Sequence, residues 1–265
     1  ILEVMTEAHG RHLGVVRSGR SRSMQPTLQQ GNTVTVAWRA RLEEHMGAFV
    51  VEAHDLRAGR LMASPMALHG LHWLAALLRL LPERDPHEQI YRMAEALASH
   101  LDDPEIAPEL VVRFEIAILA ELGFGLDLET CALSGARQDL AWVSPKTGRA
   151  AERLAGAPWA DRLLPLPGFL TADVGAGAVG EDEIEAGLSL AWHFLQRDLF
   201  APRGLTHLAQ ARESFAREAR RDGRVKGVFL SRNFGHQAAI STGLEQARGS
   251  VVAVIGGAML GLIGR

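Results

Sequence analysis

The chain has 265 residues, 47% apolar and 22% charged, with a formal net charge of −3 at pH 7. Such a chain suits two modest globular domains with a tail. Its single cysteine, Cys131, excludes a disulfide framework and a four-cysteine zinc ribbon, and fits a reducing cytoplasm.

The opening Ile1-Leu2-Glu3-Val4 has no initiator Met, charged n-region or cleavage site, so no signal peptide is expected. It reads as a strand entered part-way. Residues 1–55 read as β. Thr33-Val-Thr-Val-Ala-Trp-Arg-Ala-Arg-Leu42 alternates, with Val34, Val36, Trp38, Ala40 and Leu42 on one face. Thr33, Thr35, Ala37, Arg39 and Arg41 share the other. Leu13, Val15 and Val50 belong to similar short strands, punctuated by Gly10, Gly19, Gly31 and Gly47. That pattern suggests a small barrel or sandwich. Between His9 and Arg41 lie six arginines (Arg11, Arg17, Arg20, Arg22, Arg39, Arg41) and no acid. A charge run is commonly a solvated face, but a local field without interspersed acids favours a phosphate-binding surface despite the negative total. His9 and His12 flank a turn in this segment, where a phosphate contact is open to them and a metal role is disfavoured.

After Gly59 the period becomes helical. Ser64-Pro65 supplies an N-cap and a first-turn proline, with Leu71, Leu74, Ala75 and Leu78 on one face. His69 and His72 lie three apart there, but no third ligand joins them by spacing, so structural roles are favoured. Asp85-Pro86-His87-Glu88 has the spacing of a capping box before Ile90, Met93, Ala94 and Leu97. A third helix is expected over 108–122, carrying Leu110, Phe114, Ile118 and Leu122 and stopping at Gly123. In it Arg113 is either a surface arginine covering apolar area with its stem or a clamp for a carboxylate. Residues 125–175, rich in Gly and Pro, read as irregular loop. Gly175-Ala-Gly-Ala-Val-Gly180 matches G-x-G-x-x-G, the outline of a dinucleotide fingerprint. Glu181-Asp-Glu183 in the next helical turn would repel a pyrophosphate, and no strand closes a βαβ unit, so a loop is favoured. A long helix is expected over 181–197 and a last one from Thr206. Their apolar stripes require packing as one bundle. The longest apolar run, 251–263, is short of the ~18 residues of a membrane span, so no membrane role is expected.

Several strings resemble the RecO family of bacterial recombination mediators, in that family's order. Ile1-Leu-Glu-Val-Met-Thr-Glu-Ala-His-Gly-Arg11 is similar to an early strand and turn, Arg17-Ser-Gly-Arg-Ser-Arg22 to the basic segment after it, and Leu28-Gln-Gln-Gly31 to the next strand entry. Arg113-Phe-Glu115, Leu119-Ala-Glu-Leu-Gly-Phe-Gly-Leu-Asp-Leu128 and Cys131 form the most distinctive block. Pro167-Gly-Phe-Leu170, Phe194-Leu195 and Pro202-Arg-Gly-Leu205 complete it. The resemblance implies an α+β protein with an N-terminal OB-fold β-barrel lacking its first strand, followed by an α-helical domain. The division expected is an OB-fold DNA-binding domain at 1–58, the helical domain at 59–221 with the loop at 125–175, and an ancillary tail at 222–265.

The resemblance further implies a cytoplasmic, nucleoid-associated DNA repair and recombination mediator, not an enzyme. It would bind single- and double-stranded DNA, anneal strands and assist RecA loading. Its partners would be RecR and the C-terminal tail of single-stranded-DNA-binding protein. Arg11, Arg17, Arg20, Arg22, Arg39 and Arg41 would contact DNA, and Arg113 with Phe114 the tail peptide. Some relatives carry a four-cysteine zinc site; only Cys131 stands here, so no metal or cofactor is expected.

The tail Gly227-Val-Phe-Leu-Ser-Arg-Asn-Phe-Gly-His-Gln-Ala-Ala-Ile240, with Val251-Val-Ala-Val-Ile255 after it, resembles an internal piece of a family 2 glycosyltransferase. Gly256-Gly257-Ala258 stands where that family has Asp-x-Asp, so the tail is expected to be non-catalytic. A glycosyltransferase-like or dinucleotide-binding enzyme remains the alternative reading.

Overall fold

The computed structural model describes residues 1–42, 44–171, 179–220, 252–255 and 260–263. The chain forms two units, Ile1–Ala219 and Arg220–Arg265. In the second, the described residues form an antiparallel pair of strands, treated last.

In the first unit, β1 (Leu2–Thr6) and β2 (Gly10–Val16) pair antiparallel. β3 (Thr33–Arg39) and β4 (Ala48–Asp55) pair antiparallel as well, with Trp38 opposite Phe49 and Arg39 opposite Ala48. A short parallel pairing of Val15 with Ala48 and Val16 with Phe49 joins the two hairpins in the order β1-β2-β4-β3. The α+β class is as the sequence implies, but the sheet is open among the described residues, with β1 and β3 at its edges.

The inner face is aromatic. Phe49 is 4% exposed, and a Cβ on Gly14 would lie 2.5 Å from its ring, so only glycine fits on β2 there. His12 is buried edge-on against Trp38 and Phe49, at centroid distances of 4.9 and 5.6 Å. This removes His12 from any phosphate; strand alternation puts it on the side away from solvent. His9 stays exposed in the β1–β2 turn.

α1 (Ala58–Met62) leads into α2 (Pro65–Leu78), whose N-cap Ser64 accepts the Ala67 N–H at 3.2 Å. α3 (Glu88–His100) starts at Glu88 with His87 as N-cap and no side-chain cap bond, so the box expected of Asp85 does not form. Asp85 lies too far upstream, its backbone packed against the β1–β2 turn at Gly10. α4 (Ala107–Glu121) stops before Gly123, which takes φ +86°.

The 125–175 segment is more regular than its Gly and Pro content suggests. β5 (Leu140–Val143), β6 (Ala150–Glu152) and β7 (Leu164–Pro165) form a three-stranded sheet, with α5 (Arg153–Gly156) after β6. Strands of two to four residues are too short to show a period. α6 (Glu181–Phe194) continues through a π-helical segment, Leu195–Phe200, into α7 (Ala201–Arg203), and Gly204 at φ +64° ends it. α8 (Ala209–Ala219) closes the bundle. Trp73, Phe114, Phe194, Phe200 and Phe215 are each under 2% exposed in its core.

Charged side chains tie the elements together. Arg57 is 5% exposed and donates to Asp55 at 3.1 Å, to Thr33 and Glu95 at 2.5 Å, and to Ser99 at 2.9 Å, locking the sheet to α3. Glu3 on β1 accepts from Arg79 and Arg11. Burial pushes its carboxyl up, and those two guanidiniums more than offset this, holding it below its usual value. Glu115 and Arg212 form a fully buried pair between α4 and α8.

In the second unit, β8 (Val252–Ile255) pairs antiparallel with β9 (Leu260–Ile263).

Candidate nucleic-acid interface

Strand registers set the outer face of the first sheet. Val15, Ala48 and Arg39 lie side by side across β2, β4 and β3, and Val50 and Ala37 make the next row. Cross-strand neighbours sit ~5 Å apart, so these side chains share one surface. All are exposed; Val15 is 47% and Val50 55% accessible, unusual for valines in strands. Arg17 follows β2 directly, one residue past the pairing of Val16 with Phe49, and opens the turn towards β3. Glu52 and Thr35 form the row beyond, where a carboxylate bounds the face.

The sequence-predicted arginines separate here. Arg17, Arg20, Arg22, Arg39 and Arg41 are exposed, and among the described residues none has an ion-pair partner. Arg20 and Arg22 sit in the turns between β2 and β3. Arg41 lies beyond β3, because pairing stops at Arg39 opposite Ala48 although the alternation runs on to Leu42. Arg11 departs from the expectation: its Nη1 donates to Glu3 at 2.8 Å and its Nε to the Leu81 carbonyl at 3.2 Å. Its charge is engaged in holding the sheet on α2 and the turn after it.

Arg113 and Phe114 also part company. Consecutive helical residues point ~100° apart, and Phe114 is 1% exposed in the core, out of reach of any partner. Arg113 is half-exposed, pairs with Glu109 at 2.8 Å, and lies 5.6 Å from the centre of the Phe169 ring. Partly buried Ile116, Leu170 and Ile184 pack around Phe169 and Val112. Phe169, not Phe114, is the aromatic beside Arg113, and sequence spacing gives no sign of that.

Cys131 is buried, and its Sγ accepts the N–H groups of Leu133 and Ser134 at 3.4 Å and of Glu152 at 3.2 Å. Burial pushes the thiol up, but the bonds from Ser134, Glu152 and Leu133 outweigh it and bring it to about 7. Among the described residues no three His, Cys, Asp or Glu side chains gather to hold a metal, and no helix is long and apolar enough to cross a membrane. Residues 175–178 of the glycine-rich 175–180 motif and most of the glycosyltransferase-like tail lie outside the described residues.

Residues 65–206 match the family model described as "Recombination protein O C terminal". Over 216 residues the chain is 56% identical to "DNA repair protein RecO" of Chelativorans sp. (strain BNC1), covering 81% of this chain and 86% of that protein. It is 55% identical over 219 residues to "DNA repair protein RecO" of Rhizobium leguminosarum bv. trifolii, covering 83% and 85%. The protein of that name from Methylobacterium nodulans is 55% identical over 219 residues, covering 81% and 88%.

Proposed function

This chain belongs to the RecO family, and from that premise we propose that it is a DNA repair and recombination mediator that grips DNA on the outer face of its first sheet. We read that sheet as the OB-type part of the molecule, residues 1–58, acting in the cytoplasm on the nucleoid. It binds single- and double-stranded DNA, promotes annealing and assists RecA loading without catalysing a reaction itself. The observation that carries this reading is a set of five exposed arginines with no ion-pair partner among the described residues. Unpaired surface guanidiniums in an acid-poor patch are favourable for a phosphate backbone, since no internal ion pair must break first.

Replacing Arg39 and Arg41 with Ala is expected to weaken binding to all sequences alike. The slope of log affinity against log salt should flatten by about one unit for each phosphate that is no longer neutralised. A titration of single-stranded DNA across salt concentrations measures this, and an unchanged slope would remove this face as the binding surface. Arg11→Ala makes the contrast: it should lower stability and leave the slope alone, because Arg11 is held by Glu3 and Leu81.

For protein partners we propose RecR and the acidic tail of single-stranded-DNA-binding protein, the latter at Arg113. A chain-terminal carboxylate would share the guanidinium with Glu109 while an apolar side chain rests on Ile116, Leu170 and Ile184. Arg113→Ala is then expected to weaken a fluorescent tail peptide by about 2 kcal/mol, the scale of a truncated charged hydrogen bond, with DNA affinity constant. Equal peptide binding by parent and variant would place the peptide elsewhere.

A further inference from the structure

The outer face of the first sheet has charge around Arg39 but no Phe, Tyr or Trp ring. Its rows carry Val15, Ala48 and Arg39, then Val50 and Ala37, and all of them are small or aliphatic apart from the arginine. The sheet's large aromatics, Trp38 and Phe49, point to the opposite side, where both pack against buried His12. Trp38 is further pinned by donating its Nε1–H to the Met46 carbonyl at 2.9 Å. A rotation that brought either ring outward would break this packing and empty the inner face.

Proteins that sequester the bases of a single strand do so on aromatic platforms, and each stacked base contributes ~1–3 kcal/mol. The rows around Arg39 offer no such platform. What the face has is Arg39 on β3 and Arg17 in the turn directly after β2, with Glu52 repelling phosphate at the far row. From this, and resting on the reading of the face as a DNA site, we infer that it holds single-stranded DNA by the sugar-phosphate backbone alone and leaves the bases turned to solvent, free to pair with an incoming complement. Annealing then needs no prior unstacking from the protein. Charge complementarity selects the phosphate chain, and the absent rings decide which way it faces.

The test uses the full chain and an oligothymidine strand carrying one 2-aminopurine, whose fluorescence falls when it stacks. Binding to the parent is expected to leave that fluorescence as it is in the free strand. Val50→Trp and Ala37→Trp each put an exposed ring on the face. They should tighten single-strand binding about ten-fold, quench the probe and slow annealing to the complement. Quenching on the parent protein would overturn the inference while the DNA-binding reading stood. Trp variants that neither tighten nor quench would show that the strand does not cross this face. A parent that binds no single strand at all would overturn both readings.

Discussion

Replacing Arg212 with Ala is expected to destabilise the protein by about 3–5 kcal/mol, the cost of leaving a buried carboxylate uncompensated. Arg212 is 4% exposed and Glu115 fully buried. The Arg212 Nε donates to Glu115 Oε1 at 2.7 Å and its Nη2 to Oε2 at 3.0 Å, a bidentate pairing. The same Nη2 reaches the Leu188 carbonyl at 2.5 Å, and the Trp73 indole donates to Glu115 at 2.7 Å. The guanidinium also lies 4.8 Å from the centre of the Trp192 ring. One ion pair therefore joins α2, α4, α6 and α8. The urea midpoint of Arg212→Ala measures the effect, and a shift worth under ~1 kcal/mol would show that water replaces the guanidinium there. A double replacement, Glu115→Leu with Arg212→Met, should recover most of the stability, since no charge is then stranded.

Gly10→Ala should be nearly as damaging, at about 2–4 kcal/mol. Gly10 has φ +61°, and a Cβ there would stand 1.8 Å from the Asp85 carbonyl oxygen, which is backbone and cannot rotate aside. The 83–85 segment would have to retreat, and the bond from Arg84 N–H to the Arg11 carbonyl, 2.8 Å long, would go with it. Gly123 separates clash from strain: it has φ +86° but nothing within 4 Å of its absent Cβ. Gly123→Ala should therefore cost only about 1–2 kcal/mol of left-handed strain. Thermal midpoints of the two variants test this, and equal destabilisation would mean that the Asp85 backbone yields easily.

The buried ion pair and the Gly10 turn hold bundle and sheet in place, and the face proposed to bind DNA depends on both. Arg39 and the rows beside it are useful only if the inner face stays seated, because Phe49 and Trp38 on that side fix the strands whose other side faces solvent. The Arg57 network on Glu95, Thr33 and Asp55 provides the same restraint at the far end of β3 and β4.

Sequence alone determined the features whose causes are local. Ser64 before Pro65 caps α2, and Gly123 stops α4, because each acts on backbone groups within a turn of itself. The alternation of β3 placed Arg39 opposite in face to Val36 and Trp38, since side chains of a strand alternate whatever lies around them. Tertiary structure decided what the arginines do. Arg17, Arg20, Arg22, Arg39 and Arg41 remain free of acids among the described residues, whereas Arg11 is taken by Glu3 and Leu81, and Arg212 by a carboxylate 97 residues away in sequence. It likewise buried Phe114 and put Phe169 beside Arg113, and it assembled three very short strands into a sheet where composition suggested loop. The physical reason is common to all of these. A guanidinium's partner, an aromatic ring's exposure and a short strand's pairing depend on segments brought together only by packing, and no period or spacing within one segment encodes them.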